Sequence, residues 1–289
     1  MGRRSFHLAG AAVSGAALRE RLRLLDELRQ IVTAMRNLAY AELQRVNRAQ
    51  SAQAKAERAV MRALADTTRP VQAVHLPRPT DMVWLVIGAE RGFCGGFNDQ
   101  LADALPELIN RYAGARWMVA GTRLRQCVED MLPDAIWLAG CNGTDESAGC
   151  VDSWLSSLVA VEQPLVSEAP ALWVMHHAEH GIVQRRLLPL PDLPPPSPGQ
   201  APLRYLSRPQ LVPKLLAEMV RVGLLGALFQ SLQQEDHWRL AQMQRAQDYL
   251  DDAGTRLRHR YFRERQSDIT SELETLMSSL DLRSHPGPR

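Results

Sequence analysis

Three short stretches hold residues whose types and spacing could do chemistry. His176-His177-Ala178-Glu179-His180 has the His-x-x-Glu-His order of an inverted zinc-peptidase motif, which works when both histidines share one helical face. Here the stretch trails the apolar run Ala171 to Met175 and meets Gly181 at once, so a helix presenting both ligands is not expected. Solvated histidines at a strand end are the plainer reading. Arg91-Gly92-Phe93-Cys94-Gly95-Gly96 stands between a strand-like run and a helical one, the place from which a glycine-rich loop cradles phosphate. It lacks the Lys-Ser/Thr of a P-loop and the spacing of a dinucleotide fingerprint, so its glycines are assigned to a tight strand-to-helix turn. Cys141 and Cys150 could close a short disulfide loop. With Cys94 and Cys127 they show no Cys-x-x-Cys spacing, and unpaired thiols in a reducing compartment are expected. These stretches supply no catalytic group, no metal site and no cofactor.

The elements that position these stretches fall into two kinds. From Leu18 to about Asp66 the apolar residues Leu18, Leu22, Leu25, Val32, Met35, Ala39, Val46 and Ala49 recur mostly three or four apart among Arg, Glu and Gln, a coiled-coil seam. A second seam runs through Leu211, Leu215, Met219, Val222, Phe229 and Leu232, then Leu240, Met243, Leu250 and Leu257, to Ile269, Leu273, Leu276 and Leu280. At the rise of an α-helix these would be rods of roughly 70 and 100 Å, and two long helices separated by a domain should pair antiparallel. Between them, Met82 to Ile87, Trp117 to Ala120, Ala135 to Leu138 and Ala171 to Met175 are short apolar runs of buried-strand type, with an edge strand expected near Val183 to Leu190. They alternate with helical stretches near Gln100 to Arg111, Thr122 to Met131 and Val151 to Val161, which predicts a small parallel-type sheet with helices on its faces. The proline-rich tract after Pro189 cannot be helix or sheet interior and is a linker.

The expected organisation is therefore an extension over 1–17, an N-terminal shaft helix over 18–75, an α/β domain over 76–190 and a linker over 191–208. A C-terminal shaft helix over 209–283 and a tail over 284–289 complete it. Arg3-Arg4 and the small residues after it suggest an export signal, but the helical seam begins directly behind them and an extension is preferred. A net charge of +2 argues against nucleic acid as a partner, and no apolar run reaches the ~18 residues of a membrane span.

Three separated segments resemble the gamma subunit of F-type ATP synthases. Ile31-Val32-Thr33-Ala34-Met35 with Leu38-Ala39 and Leu43 is similar to the family's N-terminal Ile-Thr-Lys-Ala-Met helix. Arg91-Gly92-Phe93-Cys94-Gly95-Gly96-Phe97-Asn98 matches its Arg-Gly-Leu-Cys-Gly-Gly-Leu-Asn. Arg239-Leu240-Ala241-Gln242-Met243 and the closing Arg265-Gln266-x-x-Ile269-Thr270-x-Glu272-Leu273 complete the pattern. The fold this implies is α/β, a long antiparallel coiled coil of the terminal helices with a small Rossmann-like domain.

The resemblance implies a central-stalk rotor: a non-catalytic subunit turned by proton or sodium flow, its shaft inside a hexamer of F1 alpha and beta subunits. Its foot would meet the epsilon subunit and the c-ring, so that it is peripheral at the cytoplasmic face of a bacterial plasma membrane and touches the membrane only through the complex. Coupling contacts to the beta subunits fall on Met35, Arg239, Arg265, Gln266, Thr270 and Glu272, and Arg91, Gly92, Cys94, Gly95 and Gly96 form a structural loop of the globular domain. Thr33 and Glu42 stand where the family usually has basic residues, and Tyr249 where Asn is common, which suggests the divergent sodium-translocating N-type. The rival readings are a non-rotating coiled-coil scaffold of gamma ancestry and a zinc hydrolase using His176, Glu179 and His180.

Overall fold

The computed structural model describes residues 15–68, 82–161, 171–190, 193–195, 197 and 203–284. Helix α1 spans Gly15–Thr67 and is followed by strand β1 at Met82–Ile87. Helix α2 (Phe97–Arg111), strand β2 (Arg116–Ala120), helix α3 (Thr122–Val128), strand β3 (Ile136–Leu138) and helix α4 (Ser147–Val161) come next. Strands β4 (Ala171–Ala178) and β5 (Gly181–Leu188) precede the last helix, α5, at Arg208–Ser284. The end of α1 expected near residue 75 and most of the extension over 1–17 lie outside the described residues, as does part of the linker. The chain divides into two compact units, Arg36–Gln242 and Met1–Met35 with Met243–Arg289.

In the unit Arg36–Gln242 the strands form one sheet in the order β3-β2-β1-β4-β5. Strands β3, β2, β1 and β4 are parallel, and β5 returns antiparallel on the edge. Every residue of β1 is buried, as a central strand covered on both faces requires. Leu101, Leu105 and Leu108 of α2 and Leu124 and Val128 of α3 cover one face through Trp84, Val86, Trp117 and Val119. Val151, Trp154 and Leu158 of α4 lie on the other with Val46 of α1 and residues 220–232 of α5, against Val83, Leu85, Ile87, Leu172 and Val174. This division follows from crossover handedness. The chain steps outward from β1 to β3 through α2 and α3, then jumps back across β1 through α4, and right-handed crossovers in opposite directions must use opposite faces.

Within this unit α1 and α5 run antiparallel. Gln233 donates to Asn47 at 2.7 Å, Gln53 to the Val222 carbonyl, and Arg208 to the Thr67 carbonyl at 2.6 Å. Gly223 permits close approach: a Cβ there would lie 2.8 Å from Cδ2 of Leu187 in β5. In the other unit the ends pair in the same sense, Arg29 with Asp251 at 3.0 Å and Gly15 beside Tyr261, around buried Leu18 and Met243. The α/β class and the antiparallel pairing of terminal helices are those the sequence predicted. The seam differs at one end. Ile269, Leu273 and Leu276 are 48–59% exposed, because α5 continues past Tyr261 while α1 begins at Gly15, leaving nothing opposite them among the described residues.

Candidate functional site

The loop between β1 and α2 is built by a web of hydrogen bonds. The Glu90 carboxylate accepts from the Thr122 amide at 2.8 Å, the Thr122 hydroxyl at 2.6 Å and the Gly140 amide at 2.9 Å, tying the loop to α3 and to the turn after β3. Burial raises the Glu90 pKa, but these bonds and the charge of Arg123 outweigh it and hold the carboxyl below its ordinary value. Arg91 donates to Asn142 at 3.1 Å, and Asn98 accepts from the Ala89 amide at 2.9 Å. Phe93 and Gly95 adopt left-handed backbone, φ 65° and 58°, which makes the turn tight enough to start α2 directly at Phe97. Phe93 is exposed at its tip, while Cys94 is buried and its thiol is pushed up to about 11 by that burial.

In an open α/β sheet a nucleotide binds beyond the carboxyl ends of the strands where the strand order reverses, here between β1 and β4. That place is taken. The Phe97 ring packs tilted against His177 with centroids 4.1 Å apart, His177 donates from Nε2 to the Phe97 carbonyl at 2.8 Å, and Trp238 of α5 approaches both His177 and Gly96. The glycine-rich loop is thus a seat for α5, and the structural-loop assignment gains a partner the sequence did not name.

The same stretch of α5 carries a buried ionic trio. Arg239 donates to Asp236 at 2.5 Å and to Glu235, with all three side chains buried and Oδ2 of Asp236 left without a partner. Burial raises Glu235 to about 7 and Asp236 to about 6 against the pull of the guanidinium. For Arg239 burial acts downward, yet the two acids prevail and raise it further. Sequence reasoning missed this trio, although acids three and four residues before an arginine are a readable helix pairing.

The residues expected to couple to a partner are placed differently from one another. Arg265, Gln266, Thr270 and Glu272 are exposed on α5 and Met35 is half-buried on α1, all in the unit Met1–Met35 with Met243–Arg289. Thr270 donates to the Gln266 carbonyl of its own helix at 2.9 Å. Arg239 lies in the other unit, with its guanidinium engaged inside the chain. Glu42 also works internally: its carboxylate accepts from the Thr144 amide at 2.7 Å and the Thr144 hydroxyl at 3.1 Å, so the acid that replaces a basic residue is a clasp between α1 and the loop before α4.

The histidine stretch departs from the expectation of solvated side chains. His176 and His177 continue β4 and are buried on opposite faces of the sheet, while Glu179 and His180 are exposed in the turn. His176 donates from Nδ1 to the His177 carbonyl at 2.9 Å, and burial lowers it to about 4. His176 is buried inside β4 while Glu179 and His180 stand exposed in the turn after it, so the strand does not bring together the ligands a zinc hydrolase would need, and no group of three potential metal ligands converges among the described residues.

The ATP synthase family profile matches residues 14–281. The chain belongs to that family. It is 26% identical to the ATP synthase gamma chain of Gluconobacter oxydans over 91% of this chain and 97% of that one. The gamma chain of Methylobacterium nodulans is likewise 26% identical, with the same coverage. Among solved structures it resembles the rotor of Euglena gracilis mitochondrial ATP synthase, with a TM-score of 0.60 and 12% identity over 88% of this chain and 98% of that one. The chain is a gamma-type central-stalk subunit, and a similarity running the length of both chains does not favour a non-rotating scaffold. No described helix is long and apolar enough to cross a membrane.

Proposed function

We propose that this chain turns as the rotor of a bacterial F-type ATP synthase or ATPase, its free helix end inside a hexamer of alpha and beta subunits. Its foot engages an epsilon subunit and a c-ring at the cytoplasmic face of the membrane. The observation that carries the proposal is the end of α5 beyond Tyr261, where Ile269, Leu273, Leu276 and Met277 are 48–67% exposed beside exposed Arg265, Gln266, Thr270 and Glu272. Apolar side chains at helical spacing with polar hydrogen-bonding neighbours are the makings of a partner surface. Contacts made in some orientations of the shaft and not in others would shift each nucleotide site by their difference in free energy. Met35 of α1 is a further coupling contact in this reading, apart from the end of α5. Arg239 is engaged by Glu235 and Asp236 of its own helix, and an outward contact from it requires these two acids to release it. The chemistry of ATP belongs to the partner subunits in this reading, with no catalytic group supplied by this chain.

The test replaces Gln266 by Leu, which keeps helix propensity and removes a side-chain hydrogen bond of ~0.5–1.5 kcal/mol. In a complex reconstituted with the cognate alpha and beta subunits, ATP hydrolysis should fall several-fold while the subunits still copurify. Unchanged turnover would remove Gln266 from the coupling surface, and loss of copurification would make it an assembly residue.

A further inference from the structure

Away from the coupling surface, a polar cluster joins three elements at the antiparallel edge of the sheet. Arg185 of β5 lies across from Val174 of β4, which puts its side chain on the face that α5 covers. There it is ion-paired to Glu57 of α1, with both side chains partly buried. One turn earlier on the same face of α1, Gln53 is buried and donates to the Val222 carbonyl of α5. Gly226, one turn after Val222, touches all three: a Cβ there would lie 3.4 Å from Oε2 of Glu57, 3.7 Å from Nη1 of Arg185 and 4.0 Å from Nε2 of Gln53. One strand and two helices therefore meet at a single polar point.

Elsewhere α1 meets this domain through apolar contact. Val46 and Ala49 pack on the cluster that faces the sheet, and Val60, Met61 and Leu64 pack with Met219 and Val222 of α5. Such burial is non-directional, so it keeps the helix in its groove without fixing its rotation there. A guanidinium paired with a carboxylate, and an amide bonded to a carbonyl, hold donor and acceptor in defined directions. We propose that Gln53, Glu57 and Arg185 form a clamp that carries torque between the α/β domain and the paired helices α1 and α5. The proposal rests on the rotor reading and adds to it the residues through which the foot grips the shaft. Glu42 and Thr144 also join α1 to the loop before α4, but the Glu57 cluster takes in α5 and the edge strand as well, so load applied to the sheet reaches both helices at once. Breaking the pair leaves a charge partly buried without its partner, and α1 can then roll against β5 under load. Part of each turn is lost as slip, so nucleotide turnover continues while less ion is moved for each ATP.

The test uses the whole complex with its cognate membrane subunits in sealed lipid vesicles. ATP hydrolysis and ATP-driven ion uptake are measured on the same vesicles, with a pH-sensitive dye and with radioactive sodium. Glu57→Arg and Arg185→Glu should each leave most of the hydrolysis and lower the uptake per ATP several-fold, and the double swap should restore most of that ratio. If either single variant fails to assemble, Glu57→Gln decides in its place. Single variants with the wild-type ratio would overturn the proposal, as would hydrolysis and uptake falling in parallel or a double swap no better coupled than the single ones. A wild-type complex that hydrolyses ATP without taking up either ion refutes the rotor reading itself, before any variant is compared.

Discussion

Replacing Arg239 by Met removes the guanidinium ion-paired to two buried acids and keeps most of the side-chain volume. The cost can be worked from the trio itself. Burial raises Glu235 from an ordinary 4.5 to about 7 and Asp236 from 3.8 to about 6. In the wild type the penalty for burying these acids grows as pH climbs from the ordinary to the folded value and then levels off, because the guanidinium accepts the ionised forms. Without it the acids stay protonated and the penalty continues at ~1.4 kcal/mol per pH unit for each. Between about pH 6 and about pH 8 that adds roughly 3 kcal/mol from Asp236 and about 1 from Glu235. The sum, ~4 kcal/mol, matches the cost of breaking a buried ion pair and is a large share of a domain's stability. Thermal or urea unfolding followed by tryptophan fluorescence should show the variant close to wild type near pH 6 and severely destabilised near pH 8. Equal destabilisation at both pH values would refute the reasoning, since it would mean that lost packing and not uncompensated charge is the cause.

Other outcomes follow from the same physics. Glu90→Gln should cost about 1 kcal/mol near neutrality, allowing for solvent screening of a half-exposed group. Because its folded pKa lies below the ordinary 4.5, the stabilisation is present above that value, and the gap to wild type should close as pH falls below it in parallel melts. Gly121→Ala should lose ~3 kcal/mol or more, or fail to yield soluble chain, since φ is +111° and the new Cβ would meet the Gly88 carbonyl oxygen at 2.7 Å. In native-state alkylation read by mass spectrometry, exposed Cys127 should react first and buried Cys94 and Cys141 last. Rapid labelling of Cys94 would contradict the packing of the loop against α5.

The sequence alone determined the elements and their order. Fully apolar runs such as Met82 to Ile87 bury as central strands, and seams repeating every three or four residues at both termini mark long helices with one face to bury. Loop chemistry was legible too, because Gly95 at positive φ is a local backbone demand that neighbours announce. What the sequence could not give were relations between residues far apart in the chain. That Glu42 would clasp Thr144, that Trp238 would fill the end of the sheet beside Phe97 and His177, and that His176 would be drawn inside β4 depend on how the layers close, and side-chain type is silent on that. Arg239 shows the difference most plainly. Its place in a motif suggested an outward contact, but burial with Glu235 and Asp236 is a property of the folded core, where the loss of water makes nearby charges seek each other. The exposed end of α5 was likewise decided by tertiary structure, because an apolar seam is buried only as far as a partner helix reaches, and α1 reaches only as far as Gly15 among the described residues.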